Sequence, residues 1–487
     1  MMKHHEIRRR EFLQVVAAGA GLAAPGARAA LGTETSSVKE SAGKPNVVFV
    51  FGDQWRAQAT GYAGDPNVKT PHLDRLAAQS LNFENTVSCC PVCSPYRASL
   101  MTGQYALTHG VFLNDVYLRS EAVSVAEAFN EAGYQTAYIG KWHLDGHGRS
   151  SFIPRERRQG FQFWKALECT HAYNKSPYYG DESIKLTWDG YDAMAQTREA
   201  QRYIREETDG KPFALFLSWG PPHNPYQTAP EQFKRLYDAE ALELRPNVPE
   251  DAVAAARKDL AGYYAHCSAL DACIGDLLQT LDEQGLAENT VFVFTSDHGD
   301  MLGSQGEIRK QRPWDEAIRV PFLLRYPARF GQEGRTVRRF VNAPDIMPTL
   351  LGLCGIEPPA TVEGQDFSQI VDQAEVPDDD AALIACYAPF GEWTRQRGGK
   401  EYRGVRTHRY TYVRDLEGPW LLYDNQEDPY QRTNLCGRAE CAAIQAHLDG
   451  VLDKKLEETH DAFGHGDEYI QKWGYTVDKN GTAPYAP

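Results

Sequence analysis

Val47-Val48-Phe49-Val50-Phe51 is apolar at every position and stops at Gly52-Asp53-Gln54. A strand with one wet face alternates apolar and polar residues. A run apolar throughout fits a strand covered on both faces, as in a mostly parallel sheet flanked by helices. Three further stretches repeat the arrangement. Thr136-Ala137-Tyr138-Ile139 leads into Gly140-Lys141-Trp142-His143, and Phe213-Ala214-Leu215-Phe216-Leu217 leads into Gly220-Pro221-Pro222-His223-Asn224. Val291-Phe292-Val293-Phe294 leads into Ser296-Asp297-His298-Gly299-Asp300. Helical patterns lie between them, at residues 71–80, 124–132 and about 251–281. Open α/β sheets place ligands beyond the carboxyl ends of their strands. Four strands would therefore bring Asp53, Lys141, His143, His223, Asp297 and His298 to one edge. Polar residues after one strand are commonplace; four converging sets predict an active site.

Working outward, a further strand at 320–324 follows Lys310 and Trp314-Asp315-Glu316. Beyond about residue 377 the texture changes. Tyr402-Arg403-Gly404-Val405-Arg406-Thr407, Tyr410-Thr411-Tyr412-Val413 and Trp420-Leu421-Leu422-Tyr423 alternate as half-exposed antiparallel strands do, and a helix at 439–458 closes the unit. The reading is an α/β catalytic domain over 45–375, its mostly parallel sheet sandwiched by helices. A smaller C-terminal antiparallel sheet subdomain with a helix spans 376–460, and an acidic stretch containing Pro377 links the two. The tail, 461–487, either folds over the active site or hangs loose.

The chain has 487 residues, 42% hydrophobic and 24% charged, enough for a large α/β domain with an appendage. A formal charge of −15 argues against a polyanion-binding surface, so no nucleic-acid partner is expected. A local cluster of Arg, Lys and metal can still override that sign for a small anion. Arg8-Arg9-Arg10-Glu11-Phe12-Leu13-Gln14, a weakly apolar stretch and Ala27-Arg28-Ala29 read as a twin-arginine signal peptide over 1–29. That predicts a periplasmic or secreted protein whose mature chain starts near Ala30. No other stretch is apolar for long enough to span a bilayer, so no membrane span is expected in the mature chain. Of ten cysteines, the scatter matches no zinc pattern. Cys436 with Cys441 is the local disulfide candidate, and Cys267 and Cys273 read as helix core. Nothing in the pattern sets an oligomeric state.

One string remains: Cys93-Ser94-Pro95-Tyr96-Arg97-Ala98-Ser99-Leu100-Met101-Thr102-Gly103. It resembles the signature of the formylglycine-dependent (type I) sulfatases of the alkaline phosphatase-like superfamily. In that family the leading Cys of Cys-x-Pro-x-Arg is oxidised to an aldehyde by a formylglycine-generating enzyme. A hydrated aldehyde offers two hydroxyls on one carbon, one to attack sulfur and one to expel sulfate later. Tyr96 departs from the Ser or Ala common there but lies outside the Cys, Pro and Arg of the core pattern. The Asp53 strand, Lys141-x-His143, Asp297-His298, the Lys310 segment and a late Leu422-Tyr423-Asp424…Asp428-Pro429…Asn434-Leu435 passage follow in the family's order. The resemblance covers roughly residues 45–435.

What it implies can be stated residue by residue. Asp53, Gln54, Asp297 and His298 stand where the family holds one divalent cation. Oxygen donors favour Ca2+, and Gln54 and His298, where many relatives carry Asp and Asn, leave Mn2+ or Mg2+ as alternatives. Asp300 reads as an ordinary loop residue. Cys93, as formylglycine hydrate, is the nucleophile, with Asp297 placed to take its proton and Arg97 and Lys141 steadying its charge. His223 with Lys310 binds sulfate and protonates the leaving alcohol. His143 takes the proton from the second hydroxyl. Arg309 and Arg312 stand as alternatives to Lys310. Substrate contacts are expected from Asn114, Asp145, His147, Arg149 and His171, with Tyr173 beside the last. Arg395, Arg397 and Lys400 form either a grip on a sulfated polymer or a solvated face. The activity implied is hydrolysis of a carbohydrate sulfate ester to alcohol and inorganic sulfate. The rivals are an arylsulfatase, a phosphonate monoester or phosphodiester hydrolase, and a silent glycan-binding domain. The Asp-Gln/Asp-His set resembles that of the phosphonate hydrolases, whereas Lys141-x-His143 speaks against them. Intact Cys93, Arg97, Asp53, Asp297, Lys141 and His143 speak against a silent domain.

Overall fold

In the computed structural model, which describes residues 43–208, 210–369 and 380–486, the apolar run forms β1 (Asn46–Asp53), buried at every position. The signal peptide expected at 1–29 and all but Asp380 of the expected linker lie outside the described residues. Seven more strands join β1: β2 (Leu81–Phe83), β3 (Gln135–Lys141), β4 (Phe163–Leu167), β5 (Phe213–Pro222), β6 (Thr290–Ser296), β7 (Phe322–Arg325) and β8 (Arg335–Val337). The spatial order is β8-β2-β7-β6-β1-β5-β3-β4. β1 pairs in parallel with β5 and β6, and β3 in parallel with β5 and β4. Among the described strands of this sheet, β7 alone runs against its neighbours. The result is the mostly parallel α/β sheet that the apolar runs predict.

Both faces of β1 are covered, as its composition requires. Val47, Phe49 and Phe51 pack towards the helix Cys93–Thr102 and the helix Ala343–Leu353. Val48 and Val50 pack towards the helices Asp192–Glu206 and Val253–Glu283. Each such fully buried side chain contributes roughly 1.5–3 kcal/mol of transfer free energy. Parallel register sets Gly52 level with Ser296 and Asp53 level with Pro222, so the strand ends finish at one edge. The helix expected at 124–132 is Val125–Glu131, started by a capping box between Ser124 and Glu127. The one expected at 71–80 stops early, as Pro71–Ala77.

The second sheet is antiparallel, β9 (Ala381–Cys386), β10 (Tyr402–Thr407), β11 (Tyr410–Asp415) and β12 (Gly418–Asp424), in that order. β9 escaped the sequence reading because it is buried throughout and shows no alternation. Leu448, Leu452 and Leu456 of the helix Ala442–Glu458 cover one face of this sheet. The other face packs on Val87 and Ile318 of the larger layer. The tail is folded: it carries the helix Gly466–Trp473, and Tyr469 and Ala483 join the main core. All ten cysteines are free thiols, which corrects the disulfide expected between Cys436 and Cys441. Cys436 Sγ lies instead 3.5 Å from Gln445 Oε1. Cys267 and Cys273 are helix core. Among the described residues no helix is long and apolar enough to cross a membrane.

Candidate active site

Cys93 opens a ten-residue helix, Cys93–Thr102, buried along its whole length and stopped by Gly103 at φ 67°. Its first turn is pinned from outside. Ser94 N–H donates to Asn114 Oδ1 at 3.0 Å, and Ser94 Oγ donates to the His143 carbonyl at 2.8 Å. Asn114, expected among the substrate contacts, therefore holds the Cys motif in place. One turn on, Arg97 is fully buried and every N–H of its fork is used. Nε and Nη2 reach Asp297 Oδ2 at 3.2 and 3.0 Å, Nη2 also reaches Asp53 Oδ2 at 3.2 Å, and Nη1 donates to Lys141 O and Ser218 Oγ at 2.7 Å each. Arg97 thus fixes the two carboxylates rather than pointing at a substrate.

Ligand atoms of Asp53, Cys93, Asp297 and His298 all lie within 4.8 Å of one another. His298 Nδ1 donates to the Gly299 carbonyl at 2.9 Å, so Nε2 turns its lone pair into this cluster, 3.2 Å from Cys93 Sγ. Gln54, at φ 71°, donates its backbone N–H to Asp297 Oδ1 and its Nε2 to Asp300 Oδ2, at 2.9 and 2.6 Å. Its Oε1 is buried and has no partner among the described residues. An orphaned amide oxygen beside two carboxylates and an imidazole nitrogen fits a divalent cation, which would satisfy it. Asp300 is thereby more than the loop residue expected. It is fully buried and takes the amide nitrogen of Gln54, so the oxygen faces the cluster. Burial pushes the Asp53 carboxyl up, yet Lys141, Lys310 and Arg97 outweigh it and hold the group well below the usual carboxylate range. Asp297 goes the other way, raised by burial and by Asp53 beside it.

A basic shell closes over this floor. Lys141 Nζ sits 2.5 Å from Asp53 Oδ2. Lys310 Nζ lies 3.1 Å from Cys93 Sγ and 3.0 Å from His223 Nε2. His223 Nδ1 donates to the Asn224 carbonyl at 2.8 Å, and burial together with Lys310 holds the ring well below its ordinary pKa. The imidazole is therefore neutral and accepts from Lys310, which keeps the proton. Arg309 turns to Tyr226 and Asp300, and Arg312 pairs with Glu307 at 2.9 Å. Of the three basic residues considered for this place, Lys310 is the one that reaches residue 93. His143, at φ 60°, contacts Asp115 Oδ1 through Nε2 at 2.9 Å. Burial opposes its charge, but Cys169 and Asp115 raise it to about 9 against Lys141.

The rim separates the remaining expected residues. Asp145 is buried and paired with Arg157 at 2.6 Å, and the backbone N–H groups of residues 144–146 all donate to Glu168, so Asp145 is scaffold. His147, 27% exposed, packs its ring 5.9 Å from the exposed Tyr117. Arg149, 46% exposed, reaches Asp115 Oδ2 at 3.5 Å. His171 stacks on His223 at 4.8 Å, and the buried Tyr173 hydroxyl props that loop through the Gly220 and Asn224 carbonyls. Arg395 is occupied by Glu401 and Asp467, and Lys400 by Asp415. Sequence reading missed Asp115, Ser218, Asp300 as an anchor, and Glu168. Glu168 had a signal, since it directly follows the strand Phe163–Leu167.

A floor of buried charges at the end of a parallel sheet, beside a helix that opens on Cys93, is the arrangement of a sulfate-ester hydrolase. The family model described as Sulfatase matches residues 45–356, and one described as N-sulphoglucosamine sulphohydrolase, C-terminal, matches residues 303–459. The chain belongs to the sulfatase family, enzymes that hydrolyse sulfate esters. It is 49% identical over 450 residues to an ulvan-active sulfatase of Formosa agariphila, covering 91% of this chain and 87% of that one. It is 32% identical over 462 residues to an endo-4-O-sulfatase of Bacteroides thetaiotaomicron, covering 82% and 89%. The solved structure of yidJ from Bacteroides fragilis superposes with a TM-score of 0.79 at 30% identity, over 89% of this chain and 99% of that one. The fold is thus the alkaline-phosphatase-like one that the resemblance implies.

Proposed function

We propose that this sulfatase is exported and removes sulfate from a sulfated carbohydrate, with residue 93 acting as a formylglycine hydrate. The observation that carries the reading is Lys310 Nζ, held between Cys93 Sγ at 3.1 Å and the neutral His223 at 3.0 Å. That geometry supports a transferable proton on Lys310 beside the atom that would meet sulfur. A hydrated aldehyde at residue 93 supplies two hydroxyls on one carbon, one for attack and one through which sulfate leaves as the aldehyde is restored. A divalent cation on Asp53, Gln54, Asp297 and His298, Ca2+ by its oxygen donors or else Mn2+ or Mg2+, supplies Lewis-acid activation of a hydroxyl.

The chain's own groups do the rest. Asp297, pushed up by burial and by Asp53, takes the proton of the attacking hydroxyl. Lys310 and His223 deliver a proton to the leaving oxygen, which as a sugar alkoxide departs poorly without it. His143 in its neutral form accepts the proton of the remaining hydroxyl, and a pKa raised to about 9 makes that form the minor one near neutral pH. The sum is R–O–SO3− + H2O → R–OH + HSO4−. Arg97, Lys141 and Lys310 bring positive charge to the floor that the overall charge of −15 would not supply. The names of the two relatives, ulvan-active sulfatase and endo-4-O-sulfatase, support a glycan substrate. So does a rim of half-exposed aromatic and cationic side chains. The export reading rests on Arg8-Arg9-Arg10 and the stretch after it, and activation calls for a formylglycine-generating enzyme as partner.

The test is sulfate release from ulvan and glycosaminoglycan fragments. It uses protein whose conversion at residue 93 is measured by the mass of the tryptic peptide ending at Arg97. Converted enzyme that releases sulfate from one fragment class supports the reading. Faster turnover of an aryl phosphodiester than of the matched aryl sulfate would turn it towards a phosphonate monoester or phosphodiester hydrolase.

A further inference from the structure

His143 is held by a residue with no motif of its own. Its Nε2–H donates to Asp115 Oδ1 at 2.9 Å, and Asp115 is 5% exposed. Once Nε2 is committed to a carboxylate, the ring presents Nδ1 elsewhere. Nδ1 is buried and has no hydrogen-bond partner among the described residues, and the His143 carbonyl accepts from Ser94 Oγ at 2.8 Å, which holds the residue beside the start of the Cys93 helix. Asp115 thereby leaves Nδ1 as the ring nitrogen free to act.

Asp115 is itself held from the far end of the chain. The Tyr485 hydroxyl donates to the same Oδ1 at 2.5 Å. The segment that brings Tyr485 there is seated on the catalytic layer by several contacts. Trp473 packs on Gly110, where a side chain on that glycine would collide with its ring, and carries the Arg119 guanidinium 5.0 Å over its face. Tyr475 OH donates to the Gly110 carbonyl at 3.0 Å, Gly391 N–H to the Asn480 carbonyl at 2.9 Å, and Ala486 N–H to the Gly146 carbonyl at 2.7 Å. Gly110 and Gly146 flank Asp115 and His143 in sequence, so the tail is fixed on both segments that carry the pair.

We propose that Asp115 and Tyr485 are positioning residues for His143, and that the C-terminal segment is by this route a working part of the active site. The inference rests on the reading above that His143 takes the proton released as sulfate leaves. With its Nε2–H engaged by Asp115, the His143 ring keeps a fixed tautomer and a fixed aim. Tyr485 holds the Asp115 carboxylate against swinging towards Arg149, which approaches its other oxygen at 3.5 Å.

The experiment is a set of mutant cycles on full-length enzyme with residue 93 conversion verified by mass. Asp115→Asn is expected to lower kcat about 100-fold, and Tyr485→Phe, which deletes one oxygen and leaves the Ala486–Gly146 bond, about 5-fold. KM should stay within about twofold in both. In a His143→Ala background neither change should lower kcat further, a non-additivity that a merely structural role would not produce. Full losses persisting in that background would overturn the inference. So would a Tyr485→Phe and an Asp115→Asn enzyme that both keep wild-type kcat beside an inactive His143→Ala, which leaves the role of His143 standing. A His143→Ala enzyme with full kcat would overturn the inference together with the role given to His143.

Discussion

The floor of the active site and its rim are built on different principles. On the floor, Asp53, Arg97, Asp297 and His298 are wholly buried, and each makes several contacts to groups more than forty residues away in sequence. At the rim, His147, Arg149 and His171 are partly exposed and lean on one or two neighbours each. Charges in a dry site keep their strength and their direction, so chemistry that must happen at one atom is placed there. A rim that meets many hydroxyls and sulfates gains more from reach than from rigidity. Damage to the floor should therefore appear in the chemical step and in folding, and damage to the rim in binding.

The sharpest break is Cys93→Ala. With no carbon to carry two hydroxyls, sulfate release should fall by at least about 10³-fold while glycan binding persists, checked by sulfate release against direct binding of the same fragment. Activity unchanged from wild type would remove residue 93 from the mechanism altogether. Next in size is Arg97→Met. It leaves Asp297 without the fork that takes its Oδ2 and should destabilise the fold by about 3–5 kcal/mol in denaturant unfolding. A loss under about 1 kcal/mol would mean that Lys141 and the rest of the shell carry those carboxylates unaided.

Why the floor was legible and the rim was not follows from the same difference. Asp53, Asp297 and His223 stand at the ends of strands that are apolar on both faces, and such runs announce themselves. Cys93 and Arg97 share one turn of helix, so their spacing survives in the chain as a motif. Asp115 and Tyr485 are single residues brought in by a loop and by the tail, with nothing around them to mark the distance they travel. β9 was missed because its short apolar run, Ala381–Cys386, shows no alternation and leads into no catalytic motif. Asn114 and Asp145 were placed near the substrate because they lie close in sequence to the motifs. The fold uses them to pin a helix start and a loop.

Glu168 tests the boundary between the two regions. It is wholly buried, receives the N–H groups of residues 144–146, and so ties the loop behind His147 to the floor. Burial raises its carboxyl from 4.5 to about 7 despite His143 and those bonds. With the folded pKa above the unfolded one, the folded state holds the extra proton. Its contribution is fully present below about pH 4.5 and is lost as pH rises through about 7, on the order of 3 kcal/mol. Glu168→Gln should flatten that fall in unfolding free energy measured across the same window. An unchanged slope would mean that the three N–H donors keep the carboxylate charged in the fold.

The smallest effect belongs to His147, and it separates the regions most cleanly. Its Nδ1 lies against the Asp145 carbonyl at 2.5 Å, its ring is beside Tyr117, and no hydrogen bond ties it to Cys93, Lys310 or His223. A cleft of about 550 Å³ lined by Tyr117, Arg119, His147 and Arg157 opens there. His147→Ala should raise KM about 3- to 5-fold on a sulfated oligosaccharide, leave kcat within about twofold, and change neither constant on a small aryl sulfate. An oligosaccharide long enough to reach the cleft with its ester on the floor would feel the change; an aryl sulfate, which ends at the floor, would not. If kcat on the aryl sulfate falls as well, the loop from 144 to 147 transmits strain to His143, and rim and floor are one mechanical unit held through Glu168.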